Sequence, residues 1–306
     1  MKKTLQQLQT EFVQQKFGMF IHFNSATVQF HTGDIEDWEF GHENYGHPRK
    51  HPFNPADWNP TELDCDVWAE LAANAGMKFA ALTAKHHEGF CLWNTDTTEH
   101  SVNNATLKRD VVAEYLAAFR SRGINAGLYF SIIDLTANIG RGRCTAADKD
   151  YTIRQITELL TNYGEIPFLI IDGWAAPWGG PSFELLPYDE IRALVTKLQP
   201  NCLLMNIGET KDLTKSDVLF FESAAGQSVA EDFKGPGASC NILTKTWFWR
   251  ATDPALELRT ADWVTDTLAY LEPKNTAFIL NLSPNTTGGV DENMKQRYAE
   301  IAAKNK

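Results

Sequence analysis

Short, nearly continuous apolar runs alternate with longer amphipathic segments along the whole sequence, and this rhythm restricts the fold more than any other feature. The runs are FGMFIHFN (17–24), MKFAALTA (77–84), INAGLYFS (124–131), PFLIIDG (167–173), CLLMNI (202–207), DVLFFES (217–223), NILTKTWFW (241–249) and TAFILNLS (276–283). A strand with apolar side chains on both faces must be covered on both faces, which is the situation of parallel strands flanked by crossover helices. The segments between them carry helical spacing, as in DVWAELAANAG, VVAEYLAAFRSRG and YTIRQITELLTNYG, each of which closes on glycine just before the next run. Eight runs in a chain of 306 residues fit a closed (β/α)8 TIM-like barrel, read as a single domain over 1–306. An open doubly wound sheet shares the alternation, but no glycine-rich phosphate loop follows the first run. The helical pattern after Asn206 is weak, so an irregular connection is expected there.

Composition narrows the partners. A formal charge of −11 repels polyanions, so neither nucleic acid nor an anionic membrane is expected, and no apolar stretch reaches a membrane-spanning length. The start, MKKTLQQLQTEFVQQ, lacks the apolar core of a signal peptide. Five scattered cysteines, an odd number without close pairs, argue against a disulfide framework and for a reducing, cytoplasmic location. Nine tryptophans suit a sugar-binding surface as well as a core. A homo-oligomer is compatible with all of this.

In such barrels the chemistry sits at the carboxyl ends of the strands. Those ends carry His22 and Asn24; Lys85, His86, His87 and Glu88; Tyr129, Ser131 and Asp134; Asp172 before Gly173 and Trp174; Asn206 with Glu209 nearby; Glu222; Trp247, Trp249 and Arg250; and Asn281. A lone Asp at a strand end is usually a helix cap, but Asp172 is followed by Gly, Trp, Ala and Pro rather than by a helical pattern. Glu222 ends VLFF in the same way. Two carboxylates over one mouth are the minimum equipment of a retaining glycosidase, one as nucleophile and one as acid/base. A metal on His22, His86 and His87 is disfavoured, because adjacent histidines on an extended segment point to opposite sides; no metal and no organic cofactor are expected.

The sequence resembles the α-L-fucosidases of glycoside hydrolase family 29. The likeness runs through FGMFIHF, the long second-strand stretch AGMKFAALTAKHHEGFCLW, KRDVV with GINAGLYFS, and ILNLSPNTTGGVDE. It implies His22, His86, His87 and Tyr129 as fucose ligands, Asp37 and Trp38 in the place of a Glu-Trp pair, Asp172 as nucleophile and Glu222 as acid/base. Glu209 and Glu231 are weaker acid/base candidates. The Arg the family carries near the end of its fifth strand is absent after Asn206, and Arg250 is the candidate for its place; Trp174, from its strand-end position alone, is a candidate apolar face for the sugar. Where the family often reads Trp-Phe-Asp-Gly, this chain has Ile170 and Ile171 before Asp172, and Ala238 stands where some members carry a Glu. The resemblance implies a terminal α-L-fucose on an oligosaccharide or glycoconjugate as substrate. An α-L-galactosidase or transfucosidase activity, or a catalytically dead fucose-binding barrel, are the alternatives.

Overall fold

A computed structural model describes residues 2–29, 53–176, 179–207 and 212–305. Eight parallel strands close into a barrel in sequence order: β1 (Phe17–Ile21), β2 (Phe79–Lys85), β3 (Asn125–Ser131), β4 (Phe168–Asp172), β5 (Leu203–Asn206), β6 (Leu219–Glu222), β7 (Gly237–Asn241) and β8 (Thr276–Leu282). Helices α1 (Leu5–Gln14), α2 (Ser25–Gln29), α3 (Cys65–Asn74), α4 (Val111–Ser121), α5 (Ala146–Thr161), α6 (Tyr188–Leu198), α7 (Ala261–Leu271) and α8 (Glu292–Lys304) accompany them. Their starts are set by side-chain caps: Thr4 and Thr145 each close a capping box, and the Asp110 carboxylate accepts from the Ala113 N–H. Gly76 and Gly123 take up the left-handed backbone that ends α3 and α4.

The seventh strand is not where the apolar pattern places it. GASCN forms the strand, and most of NILTKTWFW is the loop that follows. Thr244 donates to the Thr246 carbonyl and Thr246 to that of Phe248, local bonds that bend the chain where the β-branched and aromatic composition suggests a strand. Among the described residues no α-helix separates β5 from β6 or β6 from β7.

Alternate residues of each strand divide between two cores. Phe20, Phe79, Tyr129, Phe168, Ile170, Phe220 and Ile279 fill the barrel interior, while Leu82, Leu128, Leu169, Ile171 and Leu280 face the helices. Helix α1 contributes to the interior: Phe12 packs on Phe79 and Phe168 at centroid distances of 4.9 and 5.5 Å, closing the amino end. Glycine makes room for these rings, since a Cβ on Gly127 would lie 2.4 Å from the Phe168 ring. The two-residue period carries this pattern to the carboxyl ends. Whatever follows Phe20, Ile170 or Phe220 by two positions enters the mouth: His22, Asp172 and Glu222.

Candidate active site

Asp172 is held from two sides. The Gly173 N–H donates to Oδ1 at 2.6 Å and the Tyr129 hydroxyl to Oδ2 at 2.6 Å. His87 Nε2 lies 3.6 Å from the same Oδ2. On its other nitrogen, His87 meets Ser131 Oγ at 2.6 Å, and Ser131 gives its own proton to the Ile133 carbonyl at 3.0 Å. Ser131 can then only accept, so His87 carries its proton on Nδ1.

Glu222 answers Asp172 from β6. Burial and the neighbouring Asp172 charge push its carboxyl up to about 8, against the Trp247 indole N–H, which donates to it and favours ionisation. At neutral pH Glu222 therefore holds a proton beside an ionisable partner, the division of roles that acid/base chemistry needs.

The histidines line the same mouth. His22 Nδ1 bonds Asn281 Oδ1 at 2.6 Å, and the Asn281 amide donates to the Trp247 carbonyl at 2.8 Å, which fixes the orientation of the amide. His22 consequently presents a bare Nε2. Burial, partly offset by the Asn281 bond and reinforced by His87, lowers its pKa to about 3, so the ring is neutral across the ordinary pH range. Trp247 stacks on His22 at 4.8 Å, and His86 lies parallel to Tyr129 at 5.7 Å. Neutral imidazoles of this kind accept from sugar hydroxyls.

Adjacent histidines do not diverge here, contrary to the extended-segment expectation. A bulge at Thr83 and Lys85 ends the alternation of β2, turning Lys85 outward over the Phe130 ring. The next residues make a tight turn closed by the Gly89 N–H to the His86 carbonyl at 2.9 Å. The two imidazoles end up 4.1 Å apart, and with Asp172 they bring three ligand atoms within 4.8 Å of one another.

Two buried networks hold this turn. Lys85 Nζ bonds Asp134 at 3.2 Å and Gln155 at 2.9 Å. Glu88 accepts from Ser25 Oγ at 2.7 Å and the Phe53 N–H at 3.1 Å, and meets His100 Nε2 at 3.0 Å. Burial works to raise the Glu88 carboxyl, but the His100 and Ser25 contacts outweigh it and hold it below the ordinary range. Glu88 thus ties the first, second and third strand-end loops together without facing the mouth.

Some of the sequence candidates lie elsewhere. Trp174 is 1% exposed, with its ring against Phe183 and Tyr188 and its indole N–H on the Leu186 carbonyl, so it serves the core beside α6 and offers no sugar platform. It lies two residues after the inward Asp172, but the left-handed Gly173 between them breaks the alternation and sends it outward. Glu231 is exposed and ion-paired with Lys274 at 3.1 Å, next to the start of β8 and hence at the amino end of the barrel. That excludes it as the acid/base. Arg250 is buried in the loop after β7, its backbone N–H on Asp253 Oδ2 at 3.0 Å. Trp249 bonds Asp291 at 2.6 Å. Asp37, Trp38 and Glu209 lie outside the described residues. Trp247 and Asn281 were legible only as strand-end residues. Their contacts with Glu222 and His22 give them their importance here.

Two carboxyl groups, Asp172 and a Glu222 of raised proton affinity, converge from β4 and β6 at the mouth of a (β/α)8 barrel, the arrangement that defines the class of barrel glycosidases. Within that class the chain belongs to the alpha-L-fucosidase family, whose family model matches residues 1–304. It is 31% identical to alpha-L-fucosidase 1 of Arabidopsis thaliana, over 90% of this chain and 54% of that protein. The chain spans about half the length of the curated plant relatives it matches. Among solved structures it resembles alpha-L-fucosidase isoenzyme 1 of Paenibacillus thiaminolyticus, with a TM-score of 0.77 and 25% identity, covering 98% of this chain and 76% of that one. An alpha-L-fucosidase of Bacteroides thetaiotaomicron shares the fold at a TM-score of 0.77 and 19% identity, covering 99% of this chain and 74% of that one.

Proposed function

We propose that the protein is a retaining exo-α-L-fucosidase acting on fucosylated oligosaccharides or glycoconjugates, with Asp172 as nucleophile and Glu222 as acid/base. The observation that carries this reading is the convergence of Asp172 and Glu222 at one barrel mouth, where burial and the Asp172 charge push the Glu222 carboxyl up and favour its protonated form. A protonated carboxyl can donate to the departing glycosidic oxygen while a carboxylate attacks the anomeric carbon. The bond from C1 to the leaving oxygen breaks as the Asp172 ester forms, and the Glu222 proton leaves with the aglycone. Glu222, now ionised, takes a proton from water, which adds to C1, breaks the ester and returns both carboxyls to their starting states.

The other residues orient. Tyr129 and the Gly173 N–H fix the Asp172 carboxylate. The lone pairs of His22 and His87 accept from sugar hydroxyls, so binding energy is spent on alignment. Hydrolysis of an aryl α-L-fucoside by Asp172→Ala and Glu222→Ala tests the assignment. Asp172→Ala should lose turnover. Glu222→Ala should lose it toward poor leaving groups, whereas with an activated aryl leaving group, which departs unprotonated, azide should attack the ester and restore turnover, giving a fucosyl azide of retained configuration. Full activity in Asp172→Ala would overturn the reading.

A further inference from the structure

His87 already has the setting of a metal-bound histidine. Its Nδ1–H is taken up by Ser131 at 2.6 Å, which fixes the ring and aims Nε2 at Asp172 Oδ2, 3.6 Å away, where a metal would take the place of any Nε2 proton. His86, brought to the same side by the tight turn after β2, completes a trio whose ligand atoms all lie within 4.8 Å of one another. Two ligand atoms bound about 2.0–2.1 Å from one tetrahedral Zn2+ stand roughly 3.3 Å apart. The His87–Asp172 edge, at 3.6 Å, is close to that length, and the remaining edges, at no more than 4.8 Å, close with a shift of up to about 1.5 Å in the His86 ring. Two imidazoles and one carboxylate prefer Zn2+ or Cu2+ to Mg2+ or Ca2+. The chain's charge of −11 favours cations near the mouth.

We infer that the mouth is also an inhibitory transition-metal site, with Zn2+ held by His86, His87 and Asp172 in competition with the sugar. The bound ion silences the enzyme because it takes up the nucleophilic carboxylate and one hydroxyl-accepting lone pair. Only the silencing and the competition rest on the fucosidase reading; the binding stands on the geometry of the trio.

The test is calorimetric titration of Zn2+ into the whole chain at pH 7 in a non-chelating buffer, with Mg2+ as the control ion and circular dichroism to confirm folding of each variant. One Zn2+ event, absent with Mg2+, is expected. His87→Gln and Asp172→Asn should each abolish it. Ser131→Ala keeps all three ligands but frees the His87 ring, and should weaken Zn2+ by about 10–100-fold. No Zn2+ event in the wild type, or the same event in folded His87→Gln and Asp172→Asn, overturns the site. Saturating L-fucose should suppress the event. If fucose has no effect while the variants still abolish binding, the metal site stands and the sugar reading of the mouth fails.

Discussion

Glu222→Gln should stabilise the protein, and by an amount that depends on pH. In the unfolded chain this carboxyl ionises near its ordinary value of 4.5, whereas in the folded chain burial and Asp172 raise it to about 8. Between those values the unfolded state is charged and the folded state holds the proton, so stability falls as pH rises through the window, at about 1.4 kcal/mol per pH unit. From pH 4.5 to pH 7 that loss reaches about 3 kcal/mol; partial solvent access at the mouth reduces it to about 1–3 kcal/mol. Glutamine has the same shape, keeps an oxygen for the Trp247 indole and does not titrate. The variant should therefore match the wild type near pH 4.5 and exceed it by about 1–3 kcal/mol at pH 7, a Tm rise of roughly 2–5 °C for a chain of this size. Urea unfolding of both proteins at pH 4.5, 6 and 7.5 measures it. A difference that does not grow with pH would refute the claim that the fold, rather than the bound sugar, sets the proton on Glu222.

Other outcomes follow from the same contacts. The basic limb of the kcat/KM profile should fall near pH 8, as the free enzyme loses the Glu222 proton, and should vanish in Glu222→Gln; a limb governed by His22 is not expected, because that ring is already neutral above about pH 3. Tyr129→Phe removes a 2.6 Å hydrogen bond to Asp172 and should lower kcat/KM about 10–100-fold with unchanged circular dichroism. Lys85→Met leaves Asp134 buried without its cation, and urea unfolding should show a loss of about 3–5 kcal/mol.

The barrel was legible in the sequence because strands covered on both faces leave no choice of surface: six of the apolar runs contain their strands, and β2 outruns its own by one residue, Lys85. The exception is β7. GASCN is too small and polar to register as a run, while TKTWFW has strand composition but bends on its own threonine hydroxyls. The inward placement of His22, Asp172 and Glu222 was legible for the same reason, since a period of two carries the core face to the mouth. Convergence of His86 and His87 was not, because the chain leaves β2 through a bulge into a tight turn where side chains no longer alternate, and neither leaves a mark in composition. Trp174 failed on a similar point: aromatic character suggests a sugar platform, but a left-handed Gly173 turns the ring into the core. Glu231 could be set aside only once its partner Lys274 placed it at the opposite end of the barrel.

The central claim is that Asp172 forms a covalent bond to the sugar. Incubation with 2-deoxy-2-fluoro-α-L-fucosyl fluoride, followed by proteolysis and mass spectrometry, tests it directly, because the fluorine slows the second step and lets the ester accumulate. The account predicts a single fluorofucosyl adduct on the peptide carrying Asp172, absent from Asp172→Asn. An adduct on another carboxylate, or turnover with inversion and no adduct, would contradict it.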